Sequence, residues 1–497
     1  MSVEDGIDRR VRMGGATRSR GILGGSRTIG DWVGMFAGLL LAVAPLAGGQ
    51  IALWPVLGAL AGAVGSVGVF TPWPGMRDRS AFRWGMWWAL HWARRRRARS
   101  VFALARDGQS LPPQVLDTLK ALTTPQGAAA VRHASPGRKT FYSVAWEMLA
   151  SSAGFDSDYL LGVDQEKYGA LQAALHRSEP RVQGLQQVAH VGAYDMADHV
   201  HWIAPRIPKD TNQALIDSYI DLLDKGSVQT DQTRTWMVAR IKDTSAVRAE
   251  VDEDVDGQTL SLMAVDEVIA TIEQQAAARG MRLRVLDPDR LAAVVRGMQD
   301  PDHPLDKATG MSWESAWAPW ESWHPTFMVV HGAKRRWWTR TAVIPASEVA
   351  AGLLPADFLW PLIGSISPTL IRTVSTHVDL VDAESARSKI LNGAAIDQAA
   401  FDEVMGRIGD DGSAAAQLGL SEQHLVDLRK GTPHEGAAWA ATVTIQARSR
   451  GELEAATTAI RNAAEEASVG KLQFVDGWHD GAFCIGLPLG HGMGSTK

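Results

Sequence analysis

The sequence predicts an α+β protein in which an N-terminal transmembrane helical hairpin is followed by cytosolic ferredoxin-like α/β subdomains. Two observations support this class. Residues 32–70 contain no charged side chain, and a single helical span needs roughly 20 apolar residues. Further along, two segments repeat the order strand, helix, strand with antiparallel candidates between them. This pattern favours ferredoxin-like packing, in two related halves.

The apolar segment is predicted to form two helices, about 32–47 and 51–70, because helix-breaking residues interrupt it at Pro45, Gly48 and Gly49. Glycines four residues apart permit close approach of helices in a membrane. The pairs Gly34/Gly38 and Gly58/Gly62 have that spacing. Arginines flank the segment on both sides, and positive residues favour the cytoplasmic side. The sequence therefore predicts a multi-pass protein of the cytoplasmic membrane with both termini in the cytoplasm.

An aromatic and basic segment follows the hairpin. Tryptophans at helical spacing precede a run of arginines, which is typical of a helix at the lipid headgroups. The predicted membrane-interface residues are Trp32, Trp84, Trp88, Trp92, Arg94, Arg95, Arg96 and Arg97. Contact with nucleic acid, or a plain flank of the membrane span, are the alternatives.

Composition and pattern divide the chain into six predicted regions. They are an Arg-rich cytosolic N-terminus (1–30), the hairpin (31–72), the Trp/Arg-rich interfacial helix (73–112), a first cytosolic α+β domain (113–300), a second (301–489) and a flexible tail (490–497). The predicted strand–helix–strand units are 235–241, 261–279 and 282–285 in the first domain, and 438–447, 450–467 and 471–475 in the second.

Motifs for catalysis are incomplete. The nearest approach to a phosphate-binding loop, Gly137–Thr140, lacks the upstream glycine. The single cysteine, Cys484, lies in an apolar run that predicts a buried thiol. His199 and His201 alternate as metal ligands can, but without a third ligand at a convincing spacing. The sequence therefore predicts no enzyme, no catalytic, cofactor-binding or metal residues and no cofactor, with a membrane-bound metal-dependent hydrolase as an alternative.

Four further tryptophans, Trp313, Trp317, Trp320 and Trp323, recur at helical spacing. A stripe of this kind is typical of a packed core. The alternative is a partner-binding surface, because tryptophan is enriched in the residues that dominate binding energy.

Three motifs carry a resemblance to known proteins: 27–32 (RTIGDW) before the apolar hairpin, 372–375 (RTVS), and the ending 482–490 (AFCIGLPLG). The chain resembles an actinobacterial integral membrane family of conjugative elements, whose genes lie beside type IV secretion ATPases. Its hairpin is similar to the PrgI family, and its ending is similar to the N-terminal, non-ATPase domain of those ATPases.

The resemblance implies a membrane-anchored scaffold subunit of a type IV secretion (conjugative DNA transfer) apparatus that docks a separate ATPase through protein–protein interaction. The implied partners are lipids of the cytoplasmic membrane, the secretion ATPase and other channel subunits. Self-association and direct contact with nucleic acid are left open. The alternative is an EccE-like component of a type VII secretion system.

Overall fold

The computed structural model divides the chain into two compact units, one of residues 16–100 and one of residues 1–15 with 101–497. It describes residues 10–11, 34–41, 53–73, 79–96, 101–102, 116, 119–134, 140–149, 158–193, 203–208, 210–229, 231–243, 257–303, 310–345, 348–349, 354–355, 358–364, 366–367, 370–388, 390–391, 413–427, 436–470 and 472–491.

The strands are β1 (Arg10–Val11), β2 (Pro72–Trp73), β3 (Arg79–Ser80), β4 (Val101–Phe102), β5 (Leu119–Thr123), β6 (Ala129–His133), β7 (Phe141–Met148), β8 (Val182–Ala193), β9 (Asp231–Lys242), β10 (Leu283–Val285), β11 (Trp320–Glu321), β12 (Met328–His331), β13 (Arg336–Pro345), β14 (Leu354–Pro355), β15 (Ile371–Val381), β16 (Gly436–Ala447) and β17 (Gln473–Phe474). The helices are α1 (Leu53–Phe70), α2 (Ala81–Arg96), α3 (Asp158–Ser178), α4 (Gln213–Gln229), α5 (Gly257–Ala277), α6 (Pro288–Gln299), α7 (Trp360–Ile363), α8 (Ser413–Asp427), α9 (Arg450–Glu466) and α10 (His479–Gly486).

In the unit of residues 16–100, the helical residues 34–41 pack against α1. A Cβ on Gly34 would overlap the ring of Phe70, and a Cβ on Gly38 would overlap the side chain of Ser66. The two helical segments therefore run in opposite directions and approach closely because these positions lack side chains. Gly58, the other glycine predicted to serve such packing, has no atom within 4 Å of a built Cβ.

The predicted transmembrane hairpin is wrong. Among the helices in the described residues, none is both long enough and apolar enough to cross a membrane. This finding also corrects the membrane and transmembrane assignments and the multi-pass localisation in the cytoplasmic membrane.

The unit containing residues 101–497 is built on one antiparallel sheet, to which 13 of the described strands belong. Eleven of them follow in the order β4-β11-β12-β13-β16-β15-β8-β9-β7-β6-β5, while β10 pairs with β7 and β17 pairs with β13. The predicted class is thus corrected from separate ferredoxin-like subdomains to a single large antiparallel sheet with helices. The predicted boundary at residue 301 follows directly on α6, and strands from both sides of it pair in this sheet.

The sheet consists of two halves with the same topology. The first half runs β5-β6-β7-α3-β8-α4-β9-α5-β10-α6, and the second runs β11-β12-β13-β14-α7-β15-α8-β16-α9-β17-α10. The short strand β14 has no counterpart in the first half and pairs with β1 outside this sheet. Every pairing within one half has its counterpart in the other, and β8 pairs with β15 where the halves meet. Because β8 and β15 are antiparallel, a pseudo-twofold axis perpendicular to the sheet relates the halves.

Three hydrophobic cores follow from the alternation of side chains along the strands. In β9, Trp236 and Val238 point to a front core shared by both halves, together with α6 and α10. Met237 and Ala239 point to a back core with α3 and α5. The second half has its own back core, in which α7 and α9 cover β13, β15 and β16.

The halves are interlocked by two short segments, each of which leaves a front helix and lies on the other half. The first arm, residues 299–303, begins at the last residue of α6. Gln446 of β16 donates to the Gln299 carbonyl at 3.2 Å, and Asp300 accepts from the Ala333 amide at 2.6 Å. The second arm, residues 487–491, follows α10. It accepts from Gln186 of β8 at the Leu487 carbonyl, at 2.8 Å, and from Ser143 of β7 at the Leu489 carbonyl, at 2.7 Å.

Candidate protein-docking surface

The four tryptophans predicted as either core or docking residues lie in different environments. Trp317 and Trp320 are buried in the front core, and Trp313 is half-buried against Trp317 with ring centroids 5.7 Å apart. Trp323, in the loop between β11 and β12, is 41% exposed. Of the four, Trp323 is therefore the most exposed.

A second exposed tryptophan lies on a loop bonded to the Trp323 loop. The Gly477 amide donates to the Pro325 carbonyl, and Gly477 has a φ of 81°, a conformation that favours glycine. The next residue, Trp478, is 36% exposed. We call Trp323 and Trp478 the tryptophan patch, since one backbone hydrogen bond joins the loops that carry them.

The surroundings of the tryptophan patch are ordered by close packing. A Cβ at Gly481 would overlap the Trp478 ring, so the ring lies directly over the first turn of α10. On the other loop, His324 stacks on the half-buried Phe327 with centroids 4.3 Å apart. The Arg450 guanidinium lies 5.8 Å from the Phe327 ring, which places a cation beside the aromatic surface. Rigid aromatic rings next to a cation suit the binding of an apolar protein surface with an acidic border.

The predicted membrane-interface residues that the structure describes lie on α2. Trp84 is half-buried, Trp88 and Trp92 are exposed, and the Arg96 guanidinium lies 3.6 Å from the Trp92 ring centroid. Trp32 and Arg97 lie outside the described residues, as do the side chains of Arg94 and Arg95.

The alternative site for a metal-dependent hydrolase, His199 and His201, also lies outside the described residues. Within the part of the chain that the structure describes, no group of three or more His, Cys, Asp or Glu side chains is arranged to hold a metal ion. The Cys484 thiol is fully buried, and burial raises its pKa well above the usual value. A thiol in this state is a poor nucleophile.

A serine–histidine pair at the junction of the halves resembles a catalytic pair, yet the second arm covers it. Ser375 Oγ lies 3.2 Å from His377 Nε2, and both side chains are buried. Burial, and then the charge of Arg240, lower the pKa of His377 to about 4. Ser375 Oγ also accepts from Gln186 Nε2 at 2.9 Å. Because Gln186 in turn binds the arm at Leu487, we assign the pair to fastening the arm.

The sequence reasoning missed both Trp478 and this junction. Trp478 stands alone, outside any periodic stripe, so only the loop contact reveals it. The junction had a usable signal, because Ser375, His377 and Asp379 alternate along β15 and must lie on one face.

No protein-family model matches the chain, and no curated protein sequence is significantly similar to it.

Proposed function

We propose that this chain is a non-catalytic scaffold subunit of a secretion apparatus, and that it binds a separate ATPase through the tryptophan patch. The observation that carries the proposal is the pair of exposed rings, Trp323 and Trp478, on loops joined by a backbone hydrogen bond. Among interface residues, tryptophan contributes binding energy out of proportion to its frequency.

The architecture supports a scaffold role. One continuous sheet and two interlocking arms hold the second half, with its tryptophan patch, rigidly against the first half. A rigid surface loses little conformational entropy on binding. The resemblance of the motifs at 27–32, 372–375 and 482–490 to proteins of conjugative type IV secretion supports the choice of partner, a secretion ATPase.

The test measures binding of the full-length protein to a purified type IV secretion ATPase from the same organism. We expect Trp323→Ala and Trp478→Ala each to weaken binding at least tenfold, since hot-spot truncations cost about 2 kcal/mol or more. Trp92→Ala is the matched control, because Trp92 is at least as exposed but lies on α2 in the other unit. The control is expected to bind like the unmodified protein.

Absence of binding to the ATPase by the unmodified protein would overturn the proposal, and so would equal affinity of both patch variants and the unmodified protein. Loss of binding in Trp92→Ala alone would place the docking surface on α2 and would equally contradict it.

A further inference from the structure

The residue after Trp478, His479, fastens this part of the tryptophan patch to the sheet. The Thr341 amide of β13 donates to His479 Nδ1 at 3.2 Å, and the Thr341 carbonyl accepts from the Val475 amide at 3.1 Å. Both backbone groups of Thr341 therefore hold the segment 475–479, in which Trp478 lies. His479 is 1% exposed, whereas Trp478 is 36% exposed. The position of the exposed indole thus depends on the buried imidazole next to it.

The hydrogen bonds of His479 determine its tautomer. An amide N–H can only donate, so His479 Nδ1 carries no proton. The neutral ring then has its proton on Nε2, which lies 3.3 Å from Asp476 Oδ1 and donates to it. Asp476 is buried too, and the Arg340 guanidinium lies 3.7 Å from the same carboxylate oxygen. The neutral ring is therefore bonded at both of its nitrogens.

A second proton on His479 is incompatible with this arrangement. It would sit on Nδ1 and face the Thr341 N–H, so that two donors would meet at hydrogen-bond distance with no acceptor between them. The ring accepts the proton only by leaving the Thr341 amide. The segment that carries Trp478 then loses one of its two bonds to Thr341.

The charges around the ring oppose one another. Asp476 on the preceding loop and Asp480 on α10 favour the charged form of His479, and Arg340 on β13 disfavours it. Arg340 also faces Glu454 of α9 at 3.9 Å. Burial has the largest effect, and together these causes lower the pKa of His479 below its usual value. In the folded chain the ring is therefore neutral at pH 7, and its bond to the Thr341 amide is intact.

We propose that His479 is a positioning residue for Trp478 and that its protonation releases the segment 475–479, so that acid weakens docking on the tryptophan patch. This step rests on the proposed docking of an ATPase. When the segment opens, His479 becomes exposed and regains a pKa near 6.5. Below about pH 6.5 the open form binds more protons than the closed form, so its population rises by up to tenfold for each pH unit. An open segment must be ordered again on binding, which lowers the apparent affinity for the ATPase.

Hydrogen exchange of the Thr341 amide tests the release in the absence of an ATPase. Corrected for the intrinsic exchange rate, its protection should fall by up to about thirtyfold between about pH 6.5 and 5.0, at tenfold per pH unit. The Val469 amide, which donates to the Ala464 carbonyl at the end of α9, is the reference and should keep its protection. In His479→Gln the fall should disappear, because a glutamine amide can bond both Thr341 and Asp476 but does not titrate.

Binding to the ATPase over the same pH range tests the consequence for docking. The affinity of the unmodified chain should fall by about threefold or more, in proportion to the closed fraction, and His479→Gln should remove this dependence. Because both proteins are measured against the same ATPase, titration of the ATPase itself cancels in the comparison. His331→Gln, at a more exposed histidine of the same half, is the matched control and should keep the dependence.

Unchanged protection of the Thr341 amide across this pH range would overturn the proposal, and so would an equal pH dependence of affinity in His479→Gln and the unmodified chain. The exchange measurement needs only the unmodified chain, so it decides the release even where His479→Gln does not fold. The docking function itself is judged separately, at pH 7, by Trp323→Ala and Trp478→Ala.

Discussion

The two halves of the large sheet share one topology, yet they differ in the chemistry of the face that their front helices cover. In the first half, β7, β8 and β9 present Ala145, Val188 and Trp236 to the front core, together with the buried polar side chains of Ser143 and Gln186. In the second half the same face is mostly polar and equally buried; its residues include Thr339, Thr341, Thr442, Thr444 and Gln446. The chain order and strand pairing thus tolerate either chemistry on this face.

The arms differ in the same way. The first arm is held by a buried charge, because Asp300 accepts from the Ala333 amide and, at 3.3 Å, from Trp337 Nε1. The second arm is held by neutral groups, the amide of Gln186 and the hydroxyl of Ser143, beside buried histidines. The two arms occupy equivalent positions in the fold but are held by different interactions. Different substitutions and different changes of pH should therefore weaken each arm.

The largest effect is expected at the first arm. Asp300→Ala would leave Trp337 Nε1 and the Ala333 amide without their acceptor, and would remove the carboxylate 3.7 Å from the Arg296 guanidinium. Removing one partner from a buried charged network costs about 3–5 kcal/mol. We expect a loss of that size in the free energy of unfolding, measured by chemical denaturation.

The control is Asp302→Ala, which breaks the more exposed ion pair with Arg335 and should cost about 1 kcal/mol or less. Equal losses in both variants would show that the buried Asp300 carboxylate contributes no more than the exposed ion pair of Asp302 on the same arm.

An intermediate effect is expected at the second arm when the pH falls. Burial lowers the pKa of His133 well below its usual value, and that of His377 to about 4. The unfolded chain binds protons near pH 6.5, so between about pH 6.5 and 4 it binds more protons than the folded chain, and stability falls with falling pH. Each histidine contributes a slope of at most about 1.4 kcal/mol per pH unit.

Hydrogen exchange of the Gly490 amide, which donates to Gln186 Oε1 at 2.8 Å, reports on the second arm. We expect its protection to decrease from pH 6.5 to 4.5 more steeply than that of the Ala333 amide, which donates to Asp300 of the first arm. In His377→Gln the decrease should be shallower. His331→Gln, at a more exposed histidine, is the control and should keep the original slope. Equal slopes at both amides would refute the proposed difference between the arms.

The sequence predicted the repeated unit but not how the copies combine. The alternation in 235–241 and 438–447, and the apolar periodicity of 261–279 and 450–467, placed the strands and helices close to β9, β16, α5 and α9. Pairing of β8 with β15 joins residues nearly two hundred positions apart, and periodicity carries no information about such a partner. The same limit applies to the tryptophan patch, because the bond from Gly477 to Pro325 joins distant loops.

In the apolar segment, by contrast, a local pattern predicted more of the structure than the overall hydropathy did. Hydropathy from 32 to 70 predicted a membrane span, but the described helices do not meet the length and hydropathy that a span needs. Local spacing was more informative there. Gly34 and Gly38 were predicted to permit close approach, and both do pack against α1. The spacing of the glycines reflects a geometric requirement of local packing. Hydropathy indicates only that the segment is removed from water, not whether lipid or protein covers it.

The smallest change in the free energy of unfolding is expected at one backbone position that the pseudo-symmetry of the two halves makes equivalent. Helices α5 and α9 end in the same way: the Met281 amide donates to the Ala276 carbonyl, and the Val469 amide donates to the Ala464 carbonyl. The residue before each donor has a positive φ, 73° at Gly280 and 57° at Ser468. Glycine adopts this conformation without strain, whereas serine there costs about 1 kcal/mol.

Ser468→Gly should therefore raise the free energy of unfolding by up to about 1 kcal/mol, and Gly280→Ser should lower it by a similar amount. A Cβ at Gly280 would meet no atom within 4 Å, so crowding does not complicate the comparison. Denaturation of both variants beside the unmodified chain measures the two changes; shifts of the same sign would mean that the two helix ends are not equivalent.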